Sequence, residues 1–268
     1  MVLENRFNKL IEARHGTILY NKNDIYIGKS IEKYGEFSYL EAKIFEQICK
    51  DGDVVIEVGA NIGAHTLYLS KLVGNGFVFA FEPQRLVFQN LCANLALNSI
   101  SNVFAYQEAV SNENGTIIIP ECNFKENNNF GGINIENTKN GTTVNKQKLD
   151  NFLNKIDRLK LLKIDVEGME ISVIKGASEL IKKFRPMIYV ENDRQEHSKE
   201  LIELLWSLDY KMYWHLPKLY NENNFFNDKE NIFGNIVSVN MFCIHKDLDI
   251  KVIDMVEVLD SSFHPMKR

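Results

Sequence analysis

Apolar residues fall along this chain in two rhythms. Short, nearly continuous runs at Val54–Val58 ("VVIEV") and Phe77–Glu82 ("FVFAFE") suit strands buried on both faces of a parallel sheet. "VFAYQEAV", Leu159–Asp165 ("LKLLKID") and "PMIYVEN" continue the series. Between them the spacing turns helical. Tyr39–Lys50 carries Leu40, Ile44, Phe45 and Ile48, and Gln84–Asn98 follows Pro83, a residue suited to a helix start. Glu167–Lys183 and Glu196–Leu208 complete the predicted helices. "GTIIIP" reads as an outlying strand, "YKMYWH" and "IVSVNMFCIH" as a final antiparallel pair, and Gly16–Lys29 as a small hairpin around "NKND". Alternating strands and helices predict an α/β fold, doubly wound on a mostly parallel sheet. Right-handed crossovers then bring the strand-to-helix loops to one sheet edge, where ligands bind.

The 268 residues suit one domain with additions. The expected division is a hairpin-and-helix extension over residues 1–50, a core over 51–250, and a tail over 251–268. Insertions fall near 120–145 and 215–234, each with an Asn-rich stretch ("KENNNFGG", "NENNFFND") that also carries aromatics. Long loops of this kind are expected to serve the site, as lids, rather than act as spacers.

Composition narrows the function. A net charge of -5 argues against nucleic acid as a partner, since such binding rests on clustered Lys and Arg. No apolar run approaches the roughly 20 residues of a membrane span, and "MVLENRFNKLIEARHG" has no apolar core of a signal peptide. Cys49, Cys92, Cys122 and Cys243 are scattered, and the histidines form no H-x-x-x-H pair. Reduced thiols in a cytoplasm and no dedicated His/Cys metal site are expected. Oligomeric state is left open.

The first buried run opens into "GANIGAHT". Gly59 lets backbone approach a ligand, Asn61 tolerates a left-handed turn, and Gly63 allows close packing of the next helix. Glu57, at the tip of the first strand, would repel a pyrophosphate but suits an ammonium group. Glu82 ends the second strand, where a carboxylate can accept two ribose hydroxyls. Glu108, followed by Ala109, ends the third and can reach an adenine amino group. Together they describe a ligand with an amine, a ribose and an adenine but no phosphate, as in S-adenosylmethionine. Taken singly, Glu57 reads equally as a solvated strand-end acid, Glu82 as a helix cap and Glu108 as a surface charge.

With "DGDVVIEVGANIGAHTLYLSKLVG", "VFAFEPQRLVFQNLCANLALN", "EAVS", "NNFGG", "LLKIDVEGMEISVIKGA" and "RPMIYVEND" in this order, the chain resembles the FkbM-type methyltransferases from about Gly35 to His245. These are class I, S-adenosylmethionine-dependent enzymes. The resemblance implies a seven-stranded sheet with six parallel strands and an antiparallel last one. It also implies methylation of a hydroxyl, often on a sugar, glycan or polyketide-type product. By matching position, Glu57, Gly59, Asn61, Gly63, His65 and Thr66 form the first cofactor motif, Glu82 takes the ribose and Glu108 the adenine. Glu57 departs from the Asp common in the family but keeps its charge.

Methyl transfer to a hydroxyl needs positioning and a proton acceptor. Asp165 and Glu191 end the fourth and fifth strands and are the catalytic candidates. Lys163, two residues before Asp165, shares its face. Glu167, Asn192 and His215 are candidate acceptor contacts. Glu167 reads equally as a cap of the next helix, and His215 as a packed ring. Tyr213, Trp214 and Tyr220 are either a sugar platform or ordinary core. A Mg²⁺ ion held by these carboxylates and Asn192 is a less favoured alternative. "DVEG" at the fourth strand is not the D-P-P-aromatic sequence of an exocyclic-amine methylase, and no cysteine precedes a proline. The alternatives to a carbohydrate O-methyltransferase are an NAD-binding oxidoreductase and a non-catalytic binding module of the same fold.

Overall fold

The structure is a computed structural model describing residues 7–133 and 140–266. Parts of the expected N-terminal extension, of the insertion near 120–145 and of the C-terminal tail therefore lie outside the described residues. The chain begins with an antiparallel hairpin, β1 (Asn8–Ala13) and β2 (Gly16–Asn21). It precedes the predicted one by a strand. "NKND" follows the hairpin and redirects the chain: Asn21 Oδ1 accepts from Asn23 N and Asp24 Oδ1 from Tyr26 N, at 2.8 and 2.9 Å. Such local side-chain bonds favour turns over continued strand. They lead into α1 (Ile27–Tyr34), which buries Ile27, Ile31 and Tyr34. The alternation over residues 16–29 is thus strand only in its first half. α2 (Tyr39–Ile48) buries Ala42, Phe45 and Ile48 but also Glu41, and leaves Leu40 exposed.

There follow β3 (Val54–Val58), α3 (Thr66–Val73), β4 (Phe77–Phe81), α4 (Arg85–Leu97), β5 (Val103–Tyr106), β6 (Ala109–Val110), β7 (Gly115–Ile119) and β8 (Thr142–Gln147). Then come β9 (Leu161–Ile164), α5 (Glu170–Gly176), α6 (Ser178–Phe184), β10 (Met187–Glu191), α7 (Gln195–Ser207), β11 (Tyr210–His215), β12 (Asn240–His245) and β13 (Val256–Glu257). The main sheet has the order β13-β11-β12-β10-β9-β3-β4-β5. From β5 to β10 the neighbours are parallel, while β12 runs antiparallel between β10 and β11. These are the expected seven strands, six one way and one reversed, and the two-residue β13 adds an eighth at the edge. "VFAYQEAV" is two strands: β5 in the main sheet, and β6 in a separate three-stranded sheet ordered β6-β8-β7. The helix expected over Glu167–Lys183 is two, meeting at Ala177.

The sheet is covered on both faces, which is why its strands read as continuous apolar runs. Ile56, Val58, Phe81, Ile164 and Val190 pack with α5, α6 and α7 on one side. Val55, Val78, Leu161 and Tyr189 pack with α2 and α3 on the other. Each fully buried side chain of this size contributes about 1.5–3 kcal/mol. The C-terminal segment joins this sheet: β13 pairs with β11, Val258 is buried, and His264 Nε2 donates to the Asn192 carbonyl at 2.8 Å.

The described parts of both Asn-rich stretches are fastened to the N-terminal extension. Asn128 exchanges backbone bonds with Asn23 and Ile25, and Phe130 is buried against Phe124. In the second stretch, Arg14 Nη2 donates to Asn223 O at 2.7 Å, and Phe226 N to Tyr34 O at 3.1 Å. Lys33 pairs with Asp228 and Glu230, and the Tyr34 hydroxyl donates to Glu230 O and accepts from Ile232 N. No helix among the described residues is long and apolar enough to cross a membrane.

Candidate active site

A cavity of about 400 Å³ opens at the carboxyl edge of the sheet. Register explains what lines it. Glu57 on β3, Lys163 on β9 and Tyr189 on β10 are neighbours in one transverse row. Two residues further along each strand, on the same face, come Gly59, Asp165 and Glu191. Reversed β12 begins at this level, setting Asn240 opposite both Glu191 and His215.

The β3–α3 turn forms one end of the cavity. Gly59 has φ +83°, and a Cβ there would overlap the Asp165 carbonyl oxygen. Asn61 holds the left-handed conformation expected of it, with φ 51°. Its N–H donates to Glu82 Oε2 at 3.0 Å, and Gln84 N donates to Glu82 Oε1 at 2.8 Å. The cap and ligand readings of Glu82 are thus compatible: backbone amides fix each oxygen, and the carboxyl still lines the cavity. Burial pushes it up to about 7, against those two amides. Glu57 is 1% exposed, so it is no solvated strand-end acid. Its Oε2 accepts from Thr66 Oγ1 at 2.6 Å, and its Oε1 has no hydrogen-bond partner. Burial pushes Glu57 up to about 7 as well, with Lys163 opposing the rise. Beside it His65 is buried against Phe45, and burial holds its imidazole well below the ordinary value, so the ring is neutral.

Lys163 is 2% exposed and lies under the centre of the cavity. Its Nζ is 3.3 Å from Asp165 Oδ2 and 3.8 Å from Glu57 Oε1. Burial alone would pull it down, but Asp165, Glu57 and Glu41 outweigh that and hold the ammonium above its usual value. At the other end, one oxygen from each of Asp165, Glu167 and Glu191 lies within 4.8 Å of the others. Glu191 is raised well above the carboxylate range by burial and then by Asp165 and Glu167, and its Oε2 has no partner. Glu167, at φ +55°, accepts from Arg194 Nη2 at 2.6 Å and is pushed up to about 8 by burial and then by Asp165. It does not cap α5; Glu170, the first residue of that helix, accepts from Val166 N and Gly168 N at 3.3 and 3.1 Å and so braces the loop leading into it.

The cavity thus gathers Glu57, Gly59, Asn61, His65, Glu82, Asp165, Glu167 and Glu191. Other predicted contacts stand back from its lining. Gly63 packs on Leu91, and Thr66 reaches the site through Glu57. Glu108 accepts from Gln147, and Ala109 is buried in β6. Asn192 donates to Ser198 Oγ at 3.0 Å, buried behind the strand end. His215 Nδ1 meets the Tyr189 hydroxyl at 2.7 Å, and burial pushes its ring down to about 4. Trp214 is core, and Tyr220 packs on Tyr34, so neither they nor Tyr213 form a platform in the cavity. Glu41, Asp193, Arg194 and Asn240 line the cavity without having been foreseen. A charged residue at an inward position of α2 was the available signal for Glu41.

A doubly wound sheet with one reversed strand, and acids where the first two strands meet their loops, defines a class I methyltransferase fold. Residues 57–212, more than half of the chain, match the Methyltransferase FkbM domain, and the chain belongs to that family of methyltransferases. It is 28% identical over 181 residues to methyltransferase sdnD of Sordaria araneosa, covering 54% of this chain and 70% of that one. To the hexuronic acid methyltransferase AglP of Haloferax volcanii it is 25% identical over 178 residues, 66% of this chain and 70% of that one. Among solved structures it is similar to a methyltransferase FkbM from Methylobacillus flagellatus KT, with 18% identity, a TM-score of 0.46, and 76% of this chain and 50% of that one covered.

Proposed function

We propose that the protein transfers a methyl group from S-adenosylmethionine to a hydroxyl oxygen of a sugar, glycan or related small molecule. The observation that carries this is the two-ended cavity. Glu57 and amide-fixed Glu82 stand at one end, the acids Asp165, Glu167 and Glu191 at the other, and Lys163 between them. The donor set fits the cofactor: Glu57 Oε1 is a buried acceptor that makes no hydrogen bond and only a long ion pair with Lys163 at 3.8 Å, so it can still take an ammonium N–H, and it would oppose a pyrophosphate. Glu82 keeps lone pairs for ribose hydroxyls. When bound, the cofactor supplies an activated methyl carbon.

The chain's share is to hold the acceptor and receive its proton. Glu191 is the base candidate, because burial and then the neighbouring Asp165 and Glu167 carboxyls raise its proton affinity. Lys163 fixes Asp165. The similarity to a protein named for hexuronic acid supports a carbohydrate class of acceptor. Calorimetry with S-adenosylhomocysteine and with NADH tests the cofactor; binding of NADH alone would overturn it. Labelled S-adenosylmethionine with a small-molecule and polysaccharide extract tests the reaction, methyl ethers being the expected product. Loss of activity in EDTA with recovery in Mg²⁺ would assign the acid cluster to a metal.

A further inference from the structure

Two polar atoms at the acceptor end of the cavity lack partners, and they sit on adjacent strands. Glu191 Oε2 is an acceptor and Asn240 Nδ2 a donor. The residues are opposite one another in the β10–β12 pairing, which sets their Cβ atoms about 4.5–5.5 Å apart. Asn240 is 4% exposed, yet lines the cavity. Its amide meets the Tyr189 hydroxyl, which can accept from it while bonded to His215 Nδ1 at 2.7 Å, but an amide nitrogen carries two N–H groups and the second is left over. A buried amide donor in a native site is ordinarily satisfied. Both residues line the same cavity.

We propose that Asn240 is an acceptor-binding residue that holds the nucleophilic oxygen against Glu191 and makes the site selective for oxygen over nitrogen. The proposal rests on the O-methyl transfer reading above. A hydroxyl satisfies both orphans at once: its O–H donates to Glu191 Oε2 and one lone pair accepts from Asn240 Nδ2. A hydroxyl oxygen has a second lone pair, which stays free to attack. A neutral amine has one lone pair. Spent on Asn240 it cannot attack, and aimed at the methyl carbon it leaves Asn240 unpaired in a buried site. In the transfer, the methyl carbon's bond to sulfur breaks as its bond to oxygen forms. The electron pair stays on sulfur, and the hydroxyl proton passes to Glu191. The Asn240 N–H stays on the oxygen and holds its remaining lone pair in line with the methyl carbon. Asn240 lies outside the family match at residues 57–212.

The test compares wild type with Asn240→Leu and Asn240→Asp. Labelled S-adenosylmethionine is supplied with the extract, and the product is treated with hydriodic acid, which frees the methyl of ethers as volatile methyl iodide and leaves N-methyl groups in place. Wild type should give volatile label. Asn240→Leu should bind S-adenosylhomocysteine within about threefold of wild type and form ether about 10²-fold more slowly, the scale of misplacing one reacting atom. Asn240→Asp, which keeps the volume, should lose the same activity and serves if the Leu variant does not fold. The share of non-volatile label should rise in both. Ether formation at the wild-type rate in either folded variant overturns the proposal while leaving O-methyl transfer standing. Wild-type label that is entirely non-volatile, or no labelled product at all, overturns the O-methyl reading and this one with it. An EDTA-sensitive, Mg²⁺-restored activity gives the orphan Glu191 oxygen to a metal and also overturns it.

Discussion

Replacing Glu57 by Gln tests the electrostatics of the cofactor end without needing an acceptor. In the folded protein this carboxyl is 1% exposed and pushed from 4.5 up to about 7, chiefly by burial. The folded state therefore holds a proton across roughly pH 4.5–7 that the unfolded chain has released, and stability falls as pH rises through that window. Below it both states are protonated and the contribution vanishes; above it the loss is complete. Each pH unit of displacement corresponds to about 1.4 kcal/mol, so the full loss is about 3 kcal/mol. Between pH 5 and 8 wild type should lose roughly 2–3 kcal/mol that Glu57→Gln does not. Gln keeps an oxygen for the Thr66 hydroxyl, so packing and this hydrogen bond survive. The assay is urea unfolding of cofactor-free protein, followed by fluorescence of Trp206 and Trp214, at four pH values in this range. The stability of Glu57→Gln minus that of wild type should grow with pH. A difference flat to within about 0.5 kcal/mol would mean that Glu57 is ionised throughout, and would refute the burial reasoning.

Asp165→Asn should leave S-adenosylhomocysteine affinity largely intact and slow turnover by about 10²-fold. Because Asp165 raises Glu191, the rise of rate with pH should also move to lower pH; an unmoved limb would remove Asp165 from the base pair. Lys163→Met leaves buried carboxylates without their cation, and should cost about 3 kcal/mol or more in chemical unfolding. Combined with Glu57→Gln it should cost less than the two separately, and strict additivity would show that the pair does not interact. Gly59→Ala places a Cβ onto the Asp165 carbonyl at φ +83°, so the melting temperature read by circular dichroism should collapse; a near-native melt would contradict the strand spacing described.

What was legible in the sequence was what repeats or is local. Continuous apolar runs gave the parallel strands, because both sheet faces are covered. The glycine turn gave the β3–α3 side of the cavity, because φ at Gly59 and Asn61 excludes most residues. Acids at strand ends gave Asp165, Glu167 and Glu191. Harder to read was anything set by distant pairing. Glu108 was placed at the end of one long strand, but that strand breaks and the residue bonds to Gln147 in a second sheet. Glu167 reads as a helix cap because α5 opens only three residues on, at Glu170, whose carboxyl instead takes the loop N–H groups of Val166 and Gly168. Asn240 carried no local signal, since its place beside Glu191 comes from the reversal of β12 about fifty residues downstream.

The clamp between the N-terminal extension and the second Asn-rich stretch has a thermodynamic consequence. Arg14, Lys33 and Tyr34 fix residues 223–232 by main-chain and charged contacts formed when the chain folds. Immobilising a loop residue costs about 1–2 kcal/mol of conformational entropy, and binding that must order a loop is weakened accordingly. Here that ordering accompanies folding and is not repeated when an acceptor arrives. The stretch itself stands back from the cavity, but Leu219 before it and Ile236 after it line the wall, so the hairpin and α1 help to set the position of two lining residues from outside the cavity.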